Sequence, residues 1–233
     1  MLTNSNSKLK KSSLKHNAKI YTFDIPAYKT REGKITCPFA KECVKFCYAQ
    51  KGAYIWSPAQ NKHNQNYLNT KKDNFINVIQ DEINRKRKIT HVRIHSSGDF
   101  FSLSYLLGWL EVARINPDLD FYCYSKSLHF FVKLGPGEIP PNFYVTASMG
   151  GKFDHFIEVG LFTRYAIVVN SEEEAETTGY LLLGRPLEIA HDDSHCFSPS
   201  PFALLVHGSQ PKGSQAGKAI NARKRAGLFA GYS

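Results

Sequence analysis

Three cysteines fall within eleven residues: Cys37, Cys43 and Cys47, in the stretch TCPFAKECVKFCYAQKG at 36–52. The whole chain has five cysteines. Thiolate is a soft ligand, so thiols this close along one loop point to zinc or to an iron–sulfur cluster. Three thiolates close neither a tetrahedral zinc site nor a four-iron cluster. The fourth position falls to a distant residue, to water or to a substrate. Cys196, His195 and His63 are candidates for zinc. For a cluster, an open fourth iron is a place for chemistry, whereas Cys196 in that position makes a closed, structural centre. Phe46, directly before the last cysteine, is an aromatic suited to shielding a cluster from water.

A second dense group is His191-Asp192-Asp193-Ser194-His195. Imidazole and carboxylate together bind hard or borderline metals, or act as acid and base, which raises a metal-dependent hydrolase as an alternative. Cys123, between two tyrosines, reads as a buried structural thiol. The chain has no Walker loop, no G-x-G-x-x-G after a strand and no G-x-S-x-G elbow, which argues against the nucleotide-binding and hydrolase classes those motifs mark.

These residues must be positioned by the elements around them. Short β-type runs recur at Ile20–Ile25, His91–His95, Phe121–Tyr124, Phe143–Val145, Ala166–Val169, Leu187–Ala190 and Ala203–Val206. Helical patterns alternate with them. The largest runs from Pro58 to about Lys88, with Phe75, Ile79 and Ile83 on one face; another spans Ser102 to Ile115, and a basic one Gln215–Ala226. This alternation predicts an α/β fold, a single-domain partial (β/α) barrel with mostly parallel strands. Its functional face lies at the C-terminal strand ends. Those ends carry Ser97, Gly98 and Asp99, then Ser125 and Lys126, then Thr146 and Ser148, Asn170, His191 to Asp193, and His207. Ser125, Lys126, His191, Asp192 and Asp193 are the candidates for holding substrate. His91, Arg93 and His95 alternate and are expected on one side of their strand.

The chain has 233 residues and a net charge of +10, 42% hydrophobic and 21% charged. Residues 1–18 carry Lys8, Lys10, Lys11 and Lys15 with no acid. Residues 208–233 carry Lys212, Lys218, Arg223, Lys224 and Arg225, again with no acid. The body, 19–207, is close to neutral. The expected organisation is a disordered basic tail at 1–18, a barrel-like domain at 19–207 and a basic C-terminal segment at 208–233. Basic ends suit a nucleic-acid backbone. No apolar run approaches the ~20 residues that span a bilayer. An odd cysteine count favours metal over disulfides, so a cytoplasmic protein with no membrane contact is expected.

The run Phe23-Asp24-Ile25-Pro26-Ala27, the three-cysteine loop, Val92-Arg93-Ile94-His95-x-x-Gly98-Asp99-Phe100 and Tyr122-Cys123-Tyr124-Ser125-Lys126-Ser127 together resemble the Gene Product 88 family of phage and plasmid proteins. That family is similar to radical S-adenosylmethionine enzymes, which place a three-cysteine loop after the first strand of a partial barrel. The resemblance implies a [4Fe-4S] cluster on Cys37, Cys43 and Cys47. It implies S-adenosylmethionine held near Ser97, Gly98 and Asp99, with Phe46 as the aromatic before the last cysteine. The expected function is an iron–sulfur protein that modifies nucleic acid or a precursor for a mobile element. The rival is a non-enzymatic DNA- or RNA-binding protein with a structural cluster or zinc site.

Overall fold

The computed structural model describes residues 1–4 and 6–228. The end of the basic C-terminal segment, 229–233, lies outside the described residues. Among the described residues, seven strands form one sheet: β1 Ile20–Phe23, β2 His91–Ile94, β3 Asp120–Ser125, β4 Phe143–Ser148, β5 Tyr165–Val169, β6 Glu188–Ile189 and β7 Phe202–Leu205. All pair in parallel, in the order β1-β2-β3-β4-β5-β7-β6. The helices are α1 Ser7–Lys15, α2 Cys43–Phe46, α3 Ser57–Asn69, α4 Phe75–Asn84, α5 Leu103–Arg114, α6 Leu128–Leu134, α7 His155–Glu158, α8 Glu172–Leu183 and α9 Gln215–Arg225. The expected α/β class is present, and the sheet is compatible with a partial (β/α) barrel. Sequential strand order breaks at one edge, where β7 inserts between β5 and β6.

Strand alternation sorts side chains to two faces. On one face Phe23, Val92, Ile94, Phe121 and Cys123 meet Ile79 and Ile83 of α4 and Leu106, Trp109 and Leu110 of α5. Trp109 packs edge-on to Phe23 at 5.2 Å between ring centroids. Each such fully buried apolar side chain contributes roughly 1.5–3 kcal/mol relative to exposure. Ser102 caps α5 by accepting the Tyr105 N–H, and Ser171 caps α8, whose first turn carries three glutamates where the helix dipole favours negative charge.

On the other face Ile20, Tyr122, Ala166 and Phe202 pack with Cys196 and with Leu9 of α1. Residues 7–15 are therefore a packed helix, which corrects the expected disorder of 1–18. The reason is a short amphipathic face: Lys8, Leu9 and Ser12 are buried, and the Asn6 carboxamide caps the helix at Lys8 and Leu9. A mean polar composition conceals one leucine whose burial is complete. Thr3 also pairs antiparallel to Thr22, covering the exposed edge of β1.

Two further expectations change. The helix of 58–88 breaks into α3 and α4 across 70–74. His95 leaves the side shared by His91 and Arg93 because its backbone is left-handed, φ +71°. Its ring turns into the core, 2.8 Å from the Tyr105 hydroxyl.

Candidate functional site: a cysteine-lined cavity at the strand ends

The cysteine loop is tied down on both sides before its thiols begin. The Thr36 hydroxyl donates to the Pro26 carbonyl, and the Thr36 carbonyl accepts the Asp99 N–H from the end of β2. Further on, Ala40 bridges Gly151, the Lys41 amide donates to the Gly150 carbonyl beyond β4, and the Lys152 amide donates back to the Phe39 carbonyl of the loop. The loop thus spans from the β1 end to the β4 end. Gly98 makes this close packing possible: its φ is +92°, and a Cβ there would stand 2.2 Å from Ile25 Cγ1.

Cys37, Cys43 and Cys47 all line one cavity of about 1400 Å³, together with Phe46, Ser97, Gly98, Asp99 and Lys126. The Sγ of Cys37 accepts the Tyr28 N–H at 3.3 Å. Burial pushes the Cys37 thiol pKa well up, helped by the Asp99 carboxylate and the two neighbouring cysteines. Burial also raises Cys43, while the Lys126 ammonium opposes it. Among the described residues, no three His, Cys, Asp or Glu side chains stand together as a ready set for a metal ion. His63 lines the cavity; Cys196 and His195 do not. Cys196 is fully buried within the Leu9–Tyr122–Phe202 cluster, where Tyr124 hydrogen-bonds it and burial raises its pKa to about 11.

The strand-end residues serve differently. The Asp99 carboxylate accepts the Ser125 hydroxyl at 2.7 Å and the amides of Phe100 and Lys126 at 2.8 and 2.9 Å. Asp99 and Ser125 therefore brace the β2 end against the β3 end. Lys126 Nζ reaches the Ser148 hydroxyl at 2.5 Å. Ser97 belongs to the cavity wall, and its Oγ is buried with no hydrogen-bond partner among the described residues.

His191, Asp192 and Asp193 do not converge. His191 is exposed. Asp192 meets Lys15 at 2.6 Å and His16 at 3.4 Å. Asp193 is buried with Lys8 at 2.7 Å, Arg93 at 3.0 Å and the Tyr122 hydroxyl at 2.8 Å. Arg93 and Tyr122 are register neighbours on β2 and β3, which is why both reach one carboxylate. The two aspartates dock α1 onto the sheet. The juxtaposed histidine and carboxylates expected for hydrolysis are spread over separate partners.

The sequence reading placed Asp24 within the first β-type run and gave it no role. It sits just past β1, and its Oδ1 accepts the Ser96 and Ser97 amides at 2.6 and 3.2 Å, holding the turn that carries Gly98. Its position at a strand end was the available signal. An aromatic row was also missed: Tyr48 lies 5.5 Å from Tyr54 and 4.8 Å from the His207 ring, and all three line the cavity. The Tyr48 hydroxyl donates to the Ser96 carbonyl. The basic α9 closes over the same space. Ile220 and Ala216 pack with Phe46, and the Gln210 amide donates to the Phe46 carbonyl.

A family model described as Gene product 88 matches residues 1–227, which include the cysteine loop, every strand and α9. The chain belongs to the Gene product 88 family. One relative is the Gene 88 protein of Mycobacterium phage L5, 30% identical over 102 residues, 39% of this chain and 43% of that protein. The match thus spans less than half of the phage protein's length. No solved structure matches the chain. Gene product 88 membership confirms the family resemblance, while neither comparison carries the expected kinship to radical S-adenosylmethionine enzymes. No helix among the described residues is long and apolar enough to cross a membrane.

Proposed function

We propose that this Gene product 88 protein is an iron–sulfur enzyme that holds a [4Fe-4S] cluster on Cys37, Cys43 and Cys47 and uses S-adenosylmethionine in the adjoining cavity. One observation carries the reading: three thiols from one anchored loop line a single large cavity, at the C-terminal ends of parallel strands, where such folds keep their chemistry. The donor set fits the group. Its three side chains are all cysteine, the common ligand of such clusters once deprotonated, and a four-iron cube spreads its ligands wider than a single ion does. The remaining buried thiols, Cys123 and Cys196, belong to the two sheet-face clusters, so a fourth iron would be left for a ligand from outside.

A bound cluster supplies one-electron transfer to a molecule on its open iron. The chain's own residues do the rest. Asp24 and Asp99 fix the two strand ends through backbone amides and so set the cavity floor. Lys126 favours the thiolate of Cys43. Phe46, partly buried against α9, would shield one side of the cluster. Ser97 and Gly98 lie in the same wall, where the cofactor would sit.

Anaerobic purification with iron, sulfide and zinc analysis tests this reading. Four irons per chain, and an electron paramagnetic resonance signal of the reduced protein that changes on adding S-adenosylmethionine, are expected. Zinc alone, or a cluster signal indifferent to that molecule, overturns it.

A further inference from the structure

The cavity wall is lopsided in charge. Seven lysine and arginine side chains line it against two carboxylates, Asp24 and Asp99. Both carboxylates already accept hydrogen bonds from backbone amides. Of the cations, Lys8 and Arg93 face Asp193, and Lys51 donates to Gln210 at 2.7 Å. Lys62, Lys212 and Lys224 line the cavity with no ion pair among the described residues. A cluster carried on three thiolates adds little net charge, so the positive excess remains for another ligand.

The origin of two of these cations matters. Lys212 and Lys224 belong to the basic C-terminal segment, which folds over the cavity. Two of the five cations of that segment thus face the cavity. Beside it runs the row Tyr54, Tyr48 and His207, with the His207 and Tyr48 rings tilted by 33°. Burial, then the Lys8 and Arg93 charges, lower the His207 pKa to about 4, so its ring is a neutral, flat surface at pH 7. Clustered lysines recognise phosphate, and aromatic rings stack on bases of any identity.

We infer that the cavity's substrate is a nucleotide, its phosphates held by Lys62, Lys212 and Lys224 and its base against the Tyr48–Tyr54–His207 row. The inference takes its cavity from the function proposed above but does not require the cluster.

The test is fluorescence anisotropy of the full chain with a labelled 12-residue single-stranded DNA, competed by dAMP, dATP and inorganic pyrophosphate. Lys62→Gln/Lys212→Gln/Lys224→Gln is expected to weaken binding at least tenfold at low salt. It should also reduce the slope of log K against log salt by about 0.7 per lysine. Lys133→Gln/Lys152→Gln, exposed lysines outside the cavity, should leave both unchanged. Equal losses in the two variants, or no binding of any nucleotide probe, overturn the inference. Pyrophosphate competing as well as dATP overturns its base-stacking part. Competition by dAMP or dATP at least as strong per site as the DNA supports it and marks a free nucleotide as the source. DNA binding indifferent to mononucleotides supports it and marks a strand. Iron content measured on the same preparations separates the two proposals: iron without nucleotide binding removes only this inference, and binding in iron-free Cys47→Ala removes nothing from it.

Discussion

Two turns in this molecule are crowded with reactive side chains, and they meet opposite ends. The His191–His195 turn spends its carboxylates: Asp193 is enclosed by Lys8, Arg93 and Tyr122, and Asp192 holds Lys15. The cysteine loop spends backbone groups on its anchoring and leaves its thiols facing a cavity. Chemical density in a sequence therefore says little until the partners are known. A carboxylate surrounded by cations is a structural joint; a thiol with one backbone amide beside it remains available.

The comparison breaks first at Asp193. Asp193→Asn removes the carboxylate shared by two buried cations, and the cost expected for breaking such a buried pair is about 3–5 kcal/mol, read by urea unfolding. A loss under about 1 kcal/mol would mean that the joint is not structural. Leu9→Ala tests the same joint through packing, because Leu9 is fully buried against the sheet. A loss of about 2–4 kcal/mol is expected, with protease cleavage within 1–18 becoming faster.

Acid should release α1 while leaving the cysteine loop in place. Asp193 is held down at about 2 by Arg93 and Lys8, against an ordinary value of 3.8. A lowered carboxylate pKa stabilises the fold above 3.8, and that contribution fades as pH falls towards 2. Hydrogen exchange of residues 7–15 is expected to stay slow at pH 5 and rise below about pH 3; fast exchange already at pH 6 would contradict the joint. The smallest effect is expected at the loop. Cys43→Ser should change the stability of the metal-free chain by less than about 1 kcal/mol, since the thiol is half-buried and its hydrogen bond from the Lys41 amide can pass to a hydroxyl, yet abolish iron retention. A large stability loss in that variant would make the loop cysteines structural, like the aspartates.

Much of the fold was legible. Each predicted strand is present, because most are short β-branched or aromatic runs bounded by Pro, Gly or polar residues, and parallel pairing follows from the crossovers between them, helical for all but β6 to β7. The shared position of Cys37, Cys43, Cys47, Ser97, Asp99 and Lys126 on one cavity also followed from strand-end logic. The order β5-β7-β6 was not legible, since no local pattern records which strand inserts between two others. The left-handed turn at His95 was equally hidden, because no local pattern records that its ring will meet Tyr105.

What the amino-acid sequence determined by itself is local: helix and strand periods, caps such as Ser102 and Ser171, and a soft, three-thiol loop after the first strand. The tertiary structure alone decided which charges meet. It turned a lysine-rich N-terminus into a helix docked on Asp193, and it brought Lys212 and Lys224 from the far end of the chain to the cavity. The reason is physical. Periodicity acts over a few residues, whereas burial of an ion pair or the convergence of cations depends on segments more than a hundred residues apart, which only the packed sheet brings together.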